Sequence, residues 1–268
     1  MSFTSFRNTV WRYYRAHGRH DLPWRETRDP YKILVSEVML QQTQVERVIP
    51  FYAEFTKRYP TARKLAAAPL ADVLALWNGL GYNRRAKMLR EAAAALAQKR
   101  GPLSVAELEA LPGVGPYTAR AVAAFAYNNP SAFVETNIRT AVIHHFFKTR
   151  ERVSDKEIEV VLQRAAPDAA LAKSGEWYWA LMDYGAHLKR SGVRVNARSA
   201  HYAKQSAFAG SLREARGAVL RELAKGPRPE SRLLGLKGDD RTEQLRAALS
   251  ALAKEGMITK KGRGWMIA

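Results

Sequence analysis

The sequence predicts a mainly α-helical chain that ends in a small module of three helices and a two-stranded ribbon. Three observations carry this. Up to about residue 205, apolar residues recur at helical spacing and strand-like alternation is scarce. Proline and glycine punctuate that stretch where helices start and stop. From about residue 213 the pattern changes to three amphipathic stretches followed by two short runs that read as a hairpin. A length of 268 residues suits two domains, and 47% hydrophobic with 26% charged residues is an ordinary globular composition able to bury a sizeable core.

The elements follow in order. Asp29 before Pro30 is a good N-cap followed by a residue suited to the first helical position. Residues 31–49 carry apolar side chains at 34, 35, 38, 39, 45 and 49, a helical period, with Pro50 after them and then FYAEFTKRY. Pro69 opens a helix that stops at Gly79 and Gly81. Residues 84–100 run to Gly101 and Pro102, and Ser104 begins a short helix that Pro112 ends. Residues 199–217 are polar, small and basic, and read as a linker into a further helix. Then come LREARGAVLRELAKG, the shorter RPESRLLGL and DRTEQLRAALSALAKEG as helices, and MITK and GWMIA as a hairpin turning at 261–264. That layout is a winged helix whose tip holds Lys260, Lys261 and Arg263, or else a small helical cap with a solvated basic tail.

Charge narrows the partners. Forty-four Lys and Arg stand against 25 Asp and Glu, a net of +19. Such an excess favours a polyanion, because clustered cations release counterions from a phosphate backbone. There is no cysteine, which excludes disulfides, thiolate zinc, a cysteine nucleophile and a cysteine-ligated iron–sulfur cluster within this chain. The six histidines show no HExxH spacing, so neither a metal nor a cofactor is expected. The first twenty residues have no apolar signal core and no run of about 18 apolar residues occurs, so no membrane is expected as a partner. The expected location is the cytoplasm of a bacterial-type cell, at the nucleoid.

LPGVGPYTARAVAAFAY, residues 111–127, is the first specific signal. Gly113 and Gly115 permit a tight turn whose backbone N–H groups point outward at the start of a helix, where they and the helix dipole suit a phosphate. Between two helices on a strongly basic chain this is a helix–hairpin–helix pattern, which grips a DNA backbone without reading bases.

Two carboxylates stand out. Glu37 lies in SEVMLQQTQV with Ile33, Leu34 and Leu40 at i−4, i−3 and i+3. If these neighbours bury it, its pKa rises and a carboxylic acid becomes available near neutral pH; the same spacing also fits an exposed glutamate bordering an apolar stripe. Glu135 follows Phe133 and Val134, with Thr136 or Asn137 as candidate caps of the next helix. An acid in that place often only complements the helix dipole.

LPW at 22–24, PYKILVSEVMLQQTQVERVIPFY at 30–52, LWNGLGYNRRAKML at 76–89, LPGVGPYTARAVAAFAY at 111–127, ETNIRT at 135–140 and LMDYGA at 181–186 occur in that order. Together they resemble the MutY-type adenine DNA glycosylases of the helix–hairpin–helix superfamily, over about residues 8–190. The resemblance implies a two-lobed glycosylase domain over 1–205. One six-helix lobe would span about 25–135, and the second would take the N-terminus and about 136–205, with the winged-helix-like domain at 211–268. It implies a monofunctional enzyme of base excision repair that flips a base from the duplex and hydrolyses its N-glycosidic bond. Glu37 occupies the place of the catalytic acid, which would protonate the leaving adenine at N7. Glu135 occupies that of the carboxylate that stabilises or attacks the oxocarbenium-like sugar. Tyr117 and Asn137 match residues that support that carboxylate. Tyr117 stands where bifunctional relatives place a Schiff-base lysine, so strand cleavage by β-elimination is not expected. Gln42 and Tyr82 match residues that fill the stack near the extruded base. Gln41, Thr43, Leu80, Arg84, Lys87, Gly113, Val114, Gly115, Thr118 and Arg139 complete the expected DNA contacts, with Arg120 as a further phosphate contact beside Lys87. The partner would be double-stranded DNA with a mismatch or damaged base, bound by a monomer.

Three departures accompany the resemblance. Glu135 stands where the family has aspartate, and its extra methylene displaces the carboxylate unless the backbone compensates, where sites tolerate about half an ångström. After LMDYGA the family usually carries four cysteines, whereas this chain reads HLKRSGVRVNARSAHYAKQ, so packing and Lys189, Arg190, Arg194 and Arg198 are expected to substitute. The winged-helix-like stretch stands where the family has a domain that recognises 8-oxoguanine. The expected substrate is therefore adenine opposite guanine or 8-oxoguanine. Thymine or uracil opposite guanine, another modified base, or a non-catalytic DNA-binding role remain alternatives.

Overall fold

Helices dominate the computed structural model, which describes residues 1–166, 170–202, 207–262 and 264–268. They are α1 (Phe3–His17), α2 (Pro30–Leu40), α3 (Val45–Arg58), α4 (Ala62–Ala66), α5 (Leu70–Trp77), α6 (Arg84–Leu96), α7 (Val105–Glu109), α8 (Pro116–Tyr127), α9 (Thr136–Phe146), α10 (Asp155–Ala165) and α11 (Ala170–Arg190). The C-terminal stretch adds α12 (Leu212–Leu223), β1 (Arg228–Pro229), α13 (Glu230–Leu234), α14 (Thr242–Lys254), β2 (Ile258–Lys261) and β3 (Gly264–Ile267). Among the described residues no helix is long and apolar enough to cross a membrane.

The chain divides into two compact units. The first takes Met1–Glu37, Arg100–Ala110 and the described residues of Val114–Lys204; the second takes Val38–Lys99, Leu111–Gly113 and the described residues of Gln205–Ala268. An aromatic core fills the first. Phe133 stacks on Tyr178 at 4.0 Å and Phe125 on Trp179 at 5.3 Å, while Phe6 meets Phe146 edge-on. Each such pair adds to the burial of its rings. Beneath them Asp183, 2% exposed, takes the backbone N–H and Nε of Arg19 and both terminal nitrogens of Arg25 at 2.7–2.9 Å. The aspartate of the LMDYGA motif is thus a buried structural anion. After α11 the loop is pinned by polar contacts. Arg198 donates to the carbonyls of Phe147 and Arg150, Val153 donates its N–H to the Arg198 carbonyl and accepts that of Ala200, and Asn196 accepts from Thr140. Arg198 and Asn196 thus tie the loop to α9 and to the segment after it.

The single helical stretch expected over 31–49 is two helices. Gln42, at φ 54°, sits in the left-handed region that cannot continue an α-helix. Arg85 Nη1 takes the carbonyls of Val38, Met39 and Gln41 at 2.7, 3.3 and 2.7 Å, satisfying the end of α2 that no further turn covers. Pro50, expected to follow a helix, lies inside α3. Its missing N–H removes a single ladder bond on an exposed face. The five-residue α4, capped by Thr61, and strand β1 were not expected from the sequence.

At the C-terminus β3 lies between β1 and β2, antiparallel to both, with Lys260 opposite Trp265 and Lys261 opposite Gly264. Glu222 on α12 accepts from Lys225, Arg228 and Arg232 at 2.8–3.0 Å, which fastens β1 and α13 to that helix. These three cations hold its carboxyl down at about 2. Arg263, expected at the hairpin tip, lies outside the described residues.

Candidate active site

The first unit gathers four of the expected residues. Glu37 is on the last turn but one of α2 and is 5% exposed, beside the fully buried Ile33 and Leu34. Its Oε2 accepts the Tyr117 hydroxyl at 3.0 Å. Burial outweighs that hydrogen bond, and with the negative field of Glu135 it pushes the Glu37 carboxyl up to about 7; Arg25 opposes the rise. Of the two environments the sequence allowed, the buried one holds. Tyr117, on the first turn of α8, has its hydroxyl pKa raised by burial and by the charges of both Glu37 and Glu135. One phenol therefore sits in the field of both acids.

Glu135 is itself the N-cap of α9, a place expected for Thr136 or Asn137. Its extended backbone (φ −123°, ψ 175°) lets the side chain fold back over the helix end. Oε1 accepts the N–H groups of Asn137 and Ile138, both at 2.7 Å, and Oε2 accepts Asn137 Nδ2 at 3.2 Å. Caps are usually shorter side chains, so here the extra methylene is absorbed by curling the carboxylate onto the helix terminus. Burial raises its pKa against those two backbone bonds and against Lys189 and Arg139. Asn137 also takes a hydrogen bond at Oδ1 from Lys189 Nζ at 3.3 Å, so a lysine of α11 joins the cluster. Gly185 explains why α11 can come so near: a Cβ there would overlap the backbone carbonyl of Asn137. Spacing in the sequence did not reveal either role, because both depend on how α11 crosses α9.

The hairpin residues separate in their duties. Gly113 has φ 72°, and a Cβ on it would lie 2.5 Å from that of Met88. Gly115, the N-cap of α8 at φ −93°, has nothing within 4 Å of the corresponding point. Val114 and Thr118 are buried, and Pro116 occupies the first position of α8. Two expected DNA contacts in this unit are engaged elsewhere. Arg139 donates Nε and Nη2 to Asp155 at 2.8 and 2.7 Å, and Arg120 donates to Glu159 at 2.9 Å and to the Ala132 carbonyl.

The second unit gathers another group. Gln41, Gln42 and Thr43 form the turn after α2, and Gln42 is exposed. Leu80 is 6% exposed, Tyr82 is half-buried with φ 49°, and Arg84 is exposed at the start of α6. Lys87 pairs with Glu91 at 2.7 Å. Arg85, which the sequence did not single out, joins the two loops. Beyond its bonds to the end of α2, its Nη2 donates to the Leu80 and Gly81 carbonyls at 3.3 and 3.2 Å, and its guanidinium lies over the Trp77 and Tyr82 rings. Lys260 and Lys261 are exposed on β2, and Lys260 lies over the Trp265 ring.

This fold, a glycine hairpin ahead of α8 and a buried acid held by the first turn of that helix define a helix–hairpin–helix base-excision protein. The model of the HhH-GPD superfamily base excision DNA repair proteins matches residues 35–167. An adenine DNA glycosylase of Mycolicibacterium smegmatis is 35% identical over 269 residues, covering 92% of this chain and 91% of that protein. The chain belongs to this family. An adenine DNA glycosylase of Buchnera aphidicola subsp. Baizongia pistaciae is 37% identical over 190 residues, 69% of this chain and 53% of its own length. One from Mycobacterium tuberculosis is 48% identical over 134 residues, 48% of this chain and 43% of that protein. The chain thus spans about half the length of these last two. Among solved structures, a thermostable thymine-DNA glycosylase superposes with TM-score 0.55 and 26% identity, over 69% of this chain and 84% of that one. A trapped endonuclease III–DNA covalent intermediate superposes with TM-score 0.57 at 22% identity, over 72% and 89%, a likeness of fold.

Proposed function

We propose that the chain is a monofunctional DNA glycosylase of base excision repair that hydrolyses the N-glycosidic bond of a mispaired adenine, opposite guanine or 8-oxoguanine. One observation carries it: Glu37, buried and held by Tyr117, has its carboxyl at about 7 and shares its electrostatic surroundings with a second acid, Glu135. A carboxylic acid that is still protonated near neutral pH gives its proton to the departing base as the C1′–N9 bond breaks. General acid help of this kind is worth on the order of 100- to 10,000-fold. The sugar is left oxocarbenium-like. Glu135 supplies the fixed negative charge that stabilises it, with both oxygens held by α9. Three hydrogen bonds to that carboxylate suit a stabiliser better than a nucleophile. Water adds its oxygen to C1′ and releases a proton, so the products are free base and an abasic sugar. Tyr117 has no amine to form a Schiff base, which supports hydrolysis without strand cleavage.

DNA binding is assigned to the hairpin at 113–118, to the loops at 41–43 and 80–84, and to Lys260 and Lys261 of a winged-helix-like module over 211–268. The order α12, β1, α13, α14, β2, β3 supports that last reading. The likeness to a thymine-DNA glycosylase favours a second reading, thymine or uracil opposite guanine. One panel decides among them. End-labelled duplexes carrying each mismatch are incubated with the protein and then treated with hot alkali. An alkali-dependent break at adenine is expected, and Glu37→Gln should abolish it while duplex binding persists. A break only at thymine or uracil would move the substrate assignment. Binding without any break would leave a DNA-binding factor.

A further inference from the structure

Two arginines from distant parts of the chain converge on Tyr82. The residue has φ 49°, a backbone conformation that a bulky side chain rarely adopts unless its surroundings impose it. Arg85 imposes it from below in sequence: its Nη2 donates to the carbonyls of the two preceding residues, Leu80 and Gly81, and its guanidinium carbon lies 5.4 Å from the centre of the Tyr82 ring. Arg213, 131 positions further along on the first turn of α12, donates Nη1 to the Tyr82 hydroxyl at 2.5 Å. Its guanidinium carbon lies 5.1 Å from the centre of the same ring. The same guanidinium also lies over the exposed Phe208 and reaches the Ala207 carbonyl. A hydroxyl hydrogen bond fixes the end of a phenol, and a planar cation over its face restricts its tilt. The ring of Tyr82 is therefore held at its base by the 38–99 segment and at its tip by the C-terminal stretch.

We infer that Arg213 is a positioning residue that sets the Tyr82 ring for insertion into the DNA stack, so that the C-terminal module acts on the base-probing step through this contact and not only by attracting the duplex. This rests on the glycosylase reading above, in which Tyr82 fills the stack beside the extruded base. A surface cation used only for attraction would gain nothing from a bond to a phenol hydroxyl, whereas a positioning residue needs that bond. The guanidinium plane matters as well as the charge, so lysine at 213 should restore only part of the function.

Two measurements test it on the full chain. Hydrogen exchange of the free protein reports the loop directly: Arg213→Ala should speed exchange of the amides of 79–84 by about 3- to 10-fold, with Arg213→Lys between the two. Single-turnover base release at saturating enzyme should fall about 5- to 20-fold in Arg213→Ala, but by less than about twofold when the same change is made in a Tyr82→Ala background, since the two residues act as one unit. Unchanged exchange at 79–84 would overturn the inference. So would an undiminished loss in the Tyr82→Ala background, which would mean that Arg213 meets the DNA itself. If the unaltered protein releases no base from any duplex, the glycosylase reading fails, and the exchange arm still decides whether Arg213 positions Tyr82.

Discussion

Glu37 shows how far a single residue can be read from sequence. Ile33 and Leu34, at i−4 and i−3, fit either a buried acid or an exposed one bordering an apolar stripe, and the structure buries all three. The Tyr117 bond was not readable from spacing, because it joins residues 80 positions apart. Glu135 departs from its expected place more directly. A glutamate is a poor cap by propensity, so the next polar residues looked better, yet its reach onto the N–H groups of Asn137 and Ile138 makes it the cap. The raised Glu37 pKa yields a prediction with a definite sign. The group binds its proton more tightly folded than unfolded, so it opposes folding once the pH exceeds the unfolded value near 4.5, and fully above about 7. Glu37→Gln removes that penalty. At pH 8 the variant should be more stable than the unaltered chain by up to about 3 kcal/mol, and the difference should shrink towards zero near pH 4.5. Base release should fall as the pH rises through about 7, as the acid ionises. Denaturant unfolding at the two pH values checks the first claim; an equal offset at both would mean that the glutamine acts through packing, and the burial argument would fail.

Among the elements, the hairpin was the most legible and the α2–α3 break the least. Two glycines one residue apart between helices are a local signal, and local geometry satisfies it. The break at Gln42 is imposed by Arg85, whose donors end α2 from another helix, and no periodicity within 31–49 carries that information. Within the hairpin the two glycines are unequal, and this is testable. Alanine at 113 must adopt φ 72° and push against Met88, so Gly113→Ala should lower stability by roughly 1–3 kcal/mol. Alanine at 115 fits its φ of −93° and meets no protein atom, so Gly115→Ala should leave the melting temperature within about 2 °C. Its added methyl stands where a phosphate would approach the N–H groups at the start of α8, so duplex affinity should still fall, by about 3- to 30-fold. Melting curves and a binding titration on both variants separate the cases. Full affinity in Gly115→Ala would remove the hairpin from the DNA interface.

For the molecule as a whole, the charge excess was plain in the sequence and its distribution was not. Residues 211–268 carry thirteen basic and seven acidic side chains, a net of +6. Many of those cations serve internal anions: Arg216 holds Glu255, Lys237 and Arg241 hold Glu214, and three more surround Glu222. A cation already paired in this way releases little from a phosphate backbone, so the count of thirteen basic residues overstates the grip of this stretch on DNA. Lys260 and Lys261 are different. Lys260 is 66% exposed, with Glu230 no nearer than 3.8 Å, and Lys261 follows it at the turn of the ribbon. If these two meet the duplex, each phosphate they neutralise contributes about 0.9 to the slope of log affinity against log salt. The double change Lys260→Gln and Lys261→Gln should therefore make that slope shallower by about 1 to 2, with most of the affinity loss at low salt. Base release from a saturated complex should be unaltered, since Lys260 lies over Trp265 and neither lysine belongs to the Arg213–Tyr82 contact or to the Glu37 site. Binding measured across a salt series distinguishes the outcomes: a parallel line would place the ribbon away from the backbone and leave the C-terminal module its contact with Tyr82 rather than a grip on the phosphates.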